Sequence, residues 1–272
     1  TLSSCTLKRP RLSSSAELHA LDRDPEAVLY AKKYFTDPRF NIFHANYSEV
    51  DTLFPSKKFH GILLDLGTCS THFDDHSRGF SFQGNGPLDM RMDSNSGISA
   101  AEWLAEVSED DLKKVLYEYG EEKFAPRITK KIIEDRAVSS LRTTSDLAKL
   151  VIKALPKTYS KKHPATKTFQ AIRIYINDEL NQLESALKGS LEILKSGGRL
   201  CVISFHSLED RIVKRFMKNA SMESEQYRGM PNVPIEFQPK LKIIKKSVKA
   251  SIEEIDRNIR SRSAVLRVAE KV

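Results

Sequence analysis

The stretch GILLDLGTCSTHFDDHSRGFSFQGNGPLDMRMD, residues 61–93, says most about how this chain folds and works. An apolar run meets an acid, Asp65, and then a glycine turn. A long segment follows, dense in Asp, Arg, Phe and Gly, too polar for core and too aromatic for a plain linker. Open α/β sheets hold ligands at the carboxyl ends of their strands, so a buried strand that ends this way points to an active site. The plainer alternative is an ordinary βα connection with a helix-capping Asp.

Working outward, ELHALD (17–22) reads as a short strand closed by a carboxylate. Asp24 then caps a helix with Pro25 at its first position, running to about Phe35. FNIFHA (40–45) is a second strand, and FHGILLDLG (59–67) a third, apolar on consecutive positions as expected of burial on both faces. This rhythm predicts a mostly parallel α/β sheet. From about residue 98 the period becomes helical, and we expect a helical insertion over roughly 76–164. An apolar stripe from Phe169 to Leu191 then predicts a core-facing helix broken near Gly189. GGRLCVISFHS (197–207) predicts a glycine turn and a buried strand, with Ser207 and Asp210 resembling a capping box for the next helix. Residues 219–250 read as weakly structured, and SAVLRVAEK (263–271) as a final strand.

The 272 residues, 40% hydrophobic, suffice for one large domain or a core domain with an insertion. No run approaches the ~18 apolar residues of a membrane span, so no membrane partner is expected. The N-terminus lacks an apolar signal region. Cys5, Cys69 and Cys201 are odd in number and share no metal-like spacing, which suits reduced thiols, a cytoplasmic setting and no bound metal. The net charge of +8 is one-sided. Residues 195–272 carry 17 Lys and Arg against 9 acids, whereas the preceding 194 residues carry 27 of each. A basic surface of that kind suits a polyanion such as RNA, or is simply a solvated face.

Several residues can carry chemistry. Asp22, at a strand end, suits the hydroxyls of a ribose, and Asp65 would lie across the same crevice. Tyr47, just after a strand, could flank an adenine. His206 is a candidate base, stacking group or structural residue. Arg78, Arg91, Lys167 and Arg173, with Phe80 and Phe82, have the makings of a nucleic-acid grip: cations for phosphate, rings for an unstacked base.

Six segments then match one family in order: ALDRDPEA, the 61–93 stretch, YGEEKFAPRI, KHPATKTFQAIRIYINDEL, GGRLCVISFHSLEDRIVKRFM and RSRSAVLR. On them the chain resembles the small-subunit ribosomal RNA cytosine-N4-methyltransferases, which methylate a decoding-centre cytidine with S-adenosyl-L-methionine. The resemblance implies a Rossmann-like methyltransferase domain, residues 1–75 and 165–272, interrupted by a helical substrate-recognition domain over 76–164. It implies cofactor contacts for Asp22 (ribose), Tyr47 (adenine), Asp65 and His72. It also implies small-subunit ribosomal RNA or the ribosomal subunit as partner, with a homodimer left open. The family commonly has Gln where His72 stands and a small hydroxyl residue where Cys69 stands. It also carries a strand and a turn of the type Asp-x-Thr-x-Gly-x-Gly-Gly-His before the ALDRDP segment. Here that interval is TLSSCTLKRPRLSSSAE, without glycine. Glycine allows close backbone approach to a ligand, so a truncated or frame-shifted reading is expected, with half of the cofactor pocket missing.

The chemistry so implied is methyl transfer to the exocyclic N4 of cytidine, where alignment is much of the task. An acceptor for one N–H bond favours the nucleophilic form of the amine, and Asp65 or the carbonyls after it stand where such an acceptor is kept. Asp65 is thus both a catalytic candidate and a cofactor contact. A ring such as Phe80 or Phe82 would hold the extruded base. Two other classes remain: a non-catalytic RNA-binding remnant, and a nucleotide-dependent oxidoreductase, which the lack of G-x-G-x-x-G disfavours.

Overall fold

The computed structural model describes residues 15–156, 163–223, 225–227, 231–234 and 237–272, so Cys5 and most of the glycine-free N-terminal interval lie outside it. In chain order come β1 (Leu18–Asp22), α1 (Pro25–Tyr34), β2 (Phe40–His44), α2 (Val50–Leu53), β3 (Phe59–Asp65), α3 (Ser70–Asp74) and α4 (Ala100–Glu106). Then follow α5 (Glu109–Glu118), α6 (Ala125–Arg136), α7 (Thr144–Ala154), α8 (Thr166–Ile176) and α9 (Glu179–Ile193). The chain closes with β4 (Leu194–Ser204), α10 (Ser207–Ala220), β5 (Leu241–Lys249), α11 (Ile252–Arg257) and β6 (Val265–Lys271). These elements divide into two compact units, one reaching His44 and resuming at Thr68–Glu179, the other made of Ala45–Gly67 and Leu180–Val272.

In the first unit β1 and β2 pair in parallel, from Leu18 opposite Phe40 to Asp22 opposite His44. Asp24 accepts from the Glu26 amide, and Pro25 opens α1. The capping boxes Ser99/Glu102 and Thr143/Asp146 start α4 and α7. Apolar residues at spacings of three and four then supply one core. Leu112, Val115 and Leu116 of α5, Ile128 and Ile132 of α6, and Leu147 and Val151 of α7 meet Leu104, Phe169 and Ile172.

The second unit is a four-stranded sheet in the order β3-β4-β6-β5. β3 and β4 are parallel, and the other two pairings are antiparallel. Leu64, Leu66, Leu183, Leu187, Leu200, Val202, Val213 and Met217 form its core. The architecture is therefore mixed α/β, with fewer parallel pairings than the sequence rhythm suggested. No helix among the described residues is long and apolar enough to cross a membrane.

Four local expectations need correction. β3 is not buried on both faces: it ends its sheet, and Leu63 is 63% exposed. The long apolar stripe breaks at Asn177–Asp178, where Asp178 takes φ 50°, and not at Gly189. Gly189 continues α9, and a Cβ there would press on Val50 and Asp51 of α2 at 3.0–3.1 Å. The capping box of α10 is His206/Glu209, one residue earlier than expected, because Asp210 is taken by Arg267. Lastly, the Lys-rich segment holds a strand, β5, paired with β6.

Arg267 grips Asp210 through Nε and Nη2, each at 2.8 Å, joining β6 to α10. This pair lowers the Asp210 pKa, against the opposing effect of burial. A folded-state pKa below the unfolded value adds stability at neutral pH that disappears as pH falls through the lowered value. Arg267→Ala is therefore expected to melt below the parent at pH 7. The gap should narrow at a second, acid pH below the lowered folded-state pKa, where the carboxyl is protonated in both states. Calorimetry at both pH values checks this, and a gap independent of pH would contradict it.

Candidate active site

The loop that opened the sequence argument folds around a buried charge in the first unit. Arg78 is 9% exposed. Its Nη1 donates to Asp24 Oδ2 at 3.1 Å and Glu26 Oε2 at 3.3 Å, while Nη2 donates to the carbonyls of Arg91 (3.2 Å) and Met92 (2.8 Å). Asp24, read from sequence only as a helix cap, thus has two tasks. Oδ1 caps α1, and Oδ2 receives Arg78 and also His72 Nε2 at 2.6 Å.

His72 is 5% exposed and stacks on Phe80, with ring centroids 4.7 Å apart. Burial disfavours its charge, but hydrogen bonding to Asp24 and the nearby Cys69 outweigh this and raise its pKa to about 9. Burial likewise raises the Cys69 thiol, yet His72 and Thr71 bring it down to about 7. For Asp24, burial is again opposed and overcome, by His72 and Arg78, and its pKa is lowered. The group thus combines a carboxylate, an imidazole that favours its protonated form and a thiol whose ionisation is eased, beside a guanidinium.

Asp22 ends β1 and accepts the Asp24 amide on Oδ1 at 2.9 Å. Its Oδ2 has no hydrogen-bond partner among the described residues, and burial raises its pKa. A partly desolvated carboxylate with a spare oxygen at a strand tip is chemically suited to a pair of ribose hydroxyls.

The loop beyond Arg78 is held by Asn177, which is buried at the C-terminal end of α8. Its Oδ1 accepts from the Met92 amide at 2.8 Å, and its Nδ2 donates to the carbonyls of Met90 (2.8 Å) and Arg173 (2.9 Å). Arg23 Nη1 donates to its backbone carbonyl at 2.9 Å. Met90, between these bonds, is held at φ 64°, a strained value for a side chain of its kind. Gly86 lets the loop cross over His76, since a Cβ there would collide with the His76 carbonyl.

The remaining expected cations are also engaged. Arg91 is bidentate to Asp89 (2.8 Å twice), Arg173 is bidentate to Glu179 (2.8 and 2.9 Å), and Lys167 donates to the Glu121 carbonyl at 2.7 Å. A phosphate at any of these would compete with an acceptor already in place. Phe80 is 3% exposed beneath His72, and Phe82 stacks on His163 at 4.2 Å.

The other candidates belong to the second unit. Asp65 is exposed at the end of β3, just before Gly67 at φ 83°. Tyr47 starts a 3-10 turn after Asn46 and packs against that unit's core. His206 is the N-cap of α10: Nδ1 accepts from the Glu209 amide at 3.4 Å, and Glu209 Oε2 returns to the amides of Phe205 and His206. Cys201 is a free thiol, as is Cys69.

Carboxylates at the tips of parallel strands in a mixed α/β protein are the equipment of an enzyme with a nucleotide-like cofactor. The family model described as the MraW methylase family matches residues 8–272, and the chain belongs to that family. It is thus a methyltransferase, and the family implies S-adenosyl-L-methionine as methyl donor. Among its relatives is a ribosomal RNA small subunit methyltransferase H of Pseudoalteromonas atlantica, 48% identical over 268 residues, 96% of this chain and 86% of the relative. Proteins of the same name from Hydrogenovibrio crunogenus and Hamiltonella defensa are 48% and 47% identical, again over 96% of this chain, and over 84% and 86% of their own length.

Sequence reasoning missed Asp24 as the centre of the charged cluster, Asn177 as the loop clamp and Glu179 as the partner of Arg173. The Asn-Asp pair closing the first half of the apolar stripe was the available signal for a helix end, since both residues tolerate positive φ. Asn177→Ala would orphan the Met92 amide and the Met90 carbonyl in a buried place. We expect a loss of about 2–6 kcal/mol, roughly 1–3 for each of the two groups deprived of its partner. Denaturant titration measures this, and a change below about 0.5 kcal/mol, as for an ordinary surface site, would contradict the clamp.

Proposed function

We propose that the protein transfers the methyl group of S-adenosyl-L-methionine to the exocyclic N4 of a cytidine in small-subunit ribosomal RNA. The carrying observation is the relationship itself: 48% identity across 96% of the chain to a protein named as a small-subunit ribosomal RNA methyltransferase. The donor set fits the cofactor at one point that can be inspected, the desolvated Asp22 carboxylate with its spare Oδ2. In this reading Asp22 accepts the ribose hydroxyls, Tyr47 flanks the adenine and His72 lies among the cofactor contacts. The bound cofactor supplies an activated methyl group on a sulfonium.

The chain's own task is then to place the amine and remove its proton. Asp65, exposed at the end of β3, is the group we assign to accept an N–H of the amine, and the proton leaves towards it after transfer. The RNA backbone is taken up by the basic C-terminal quarter, where Lys242, Lys245, Lys246 and Lys249 of β5 and Arg257 and Arg262 are exposed. We read the helices over 76–164 as a recognition insertion in a Rossmann-like domain. The setting is the cytoplasm, where the ribosomal substrate would be found.

Two measurements test this. Calorimetric titration with S-adenosyl-L-methionine should show binding, weakened about 10- to 100-fold by Asp22→Ala, the worth of hydrogen bonds to a charged acceptor. Because burial raises the Asp22 pKa and the cofactor's hydroxyls favour the carboxylate, affinity should fall as pH drops through that raised value, earlier than for an ordinary Asp. No binding to the unsubstituted chain would reject the enzyme reading in favour of an RNA-binding protein. Transfer of labelled methyl to small-subunit RNA should then be lost in Asp65→Ala while cofactor binding persists. Unchanged transfer would remove Asp65 from the chemistry.

A further inference from the structure

Cys69 is the N-cap of α3, His72 is the third residue of that helix, and Asp24, the N-cap of α1, packs against His72. All three residues are buried, and one potential ligand atom from each lies within 4.8 Å of the other two. We propose that this thiol, imidazole and carboxylate form a binding site for a thiophilic divalent cation of the zinc class.

Three features carry the assignment. Sulfur, nitrogen and oxygen donors from Cys, His and Asp form the mixed set that zinc accepts, and three protein ligands leave a fourth position open. Second, the three donors are already neighbours in a buried place, with one ligand atom of each within 4.8 Å of the other two. Third, the geometry is close to what a cation needs. Tetrahedral ligands at roughly 2.0–2.3 Å lie about 3.3–3.7 Å apart, so the 2.6 Å contact between His72 Nε2 and Asp24 Oδ2 has to open by only about 1 Å.

Cation binding displaces the proton of the thiol and that of the imidazole to solvent, since metal ligands must be deprotonated. Arg78, which shares Asp24 Oδ2, keeps Glu26 and the Arg91 and Met92 carbonyls as acceptors. The signal was in the sequence as a Cys-x-x-His spacing, hidden because the cysteines were compared only with one another.

The experiment uses the whole chain and cobalt(II) chloride as probe. We expect one equivalent to bind with the near-ultraviolet band of a thiolate–cobalt bond, and zinc chloride to bleach it. The band should vanish in Cys69→Ser, a near-isosteric change, and survive in the Cys5→Ser/Cys201→Ser double variant. His72→Gln should weaken cobalt binding at least about tenfold, since even disturbing an outer-sphere partner of a metal costs that much. Absence of the band in the unsubstituted chain overturns the proposal whatever the variants do. So does a band that persists in Cys69→Ser, or binding indifferent to His72→Gln in protein whose thermal melt is intact.

Discussion

The first unit is organised by one carboxylate oxygen. Asp24 Oδ2 faces the Arg78 guanidinium and the His72 ring at once, in a place where none of the three side chains is more than 10% exposed. Such a buried set gains little net stability over an apolar core, because desolvation offsets most of the attraction. Removing one member, however, leaves an uncompensated charge at a cost of roughly 3–5 kcal/mol. The consequence is conformational. A charge that must stay paired fixes where β1 ends, how α3 begins and where the 76–93 loop can run, because Arg78 also binds that loop's carbonyls.

The loop answers with strain. Met90 is held at positive φ between an amide bonded to the Arg78 carbonyl and a carbonyl bonded to Asn177. A backbone in that state persists only when its surroundings over-determine it. Here the over-determination comes from two buried polar side chains: Arg78 holds the Arg91 and Met92 carbonyls, and Asn177 holds the Met92 amide and the Met90 carbonyl.

Much of this architecture was legible because it rests on local rules. The strand ending at Asp22, the Asp24 cap with Pro25, the strand over residues 40–44 and the last strand follow from period and cap chemistry alone. The helices of residues 100–154 were announced by their apolar spacing. What stayed hidden depends on partners distant in sequence. Arg78 and Arg173 look like surface cations until Asp24 and Glu179 are found beside them. His206 reads from sequence as base, stacking group or structural residue alike, because an imidazole nitrogen acting as helix cap is rarer than Ser or Asp in that place. β5 was overlooked because Lys at 242, 245, 246 and 249 masks the pattern of a strand.

Those lysines and the exposed Leu63 express one asymmetry. The four-stranded sheet has two ends, β5 and β3. At β5 the chain places charge, the usual protection of an open edge against unwanted pairing and also a ready surface for phosphate. At β3 it places Phe59, Gly61, Ile62, Leu63 and Leu64, the composition of an interior strand. The sequence prediction of a doubly buried β3 was therefore sound about composition and wrong about position. Hydrophobicity reports what a strand is made to meet, whereas exposure reports what it meets among the described residues, and at Leu63 the two differ.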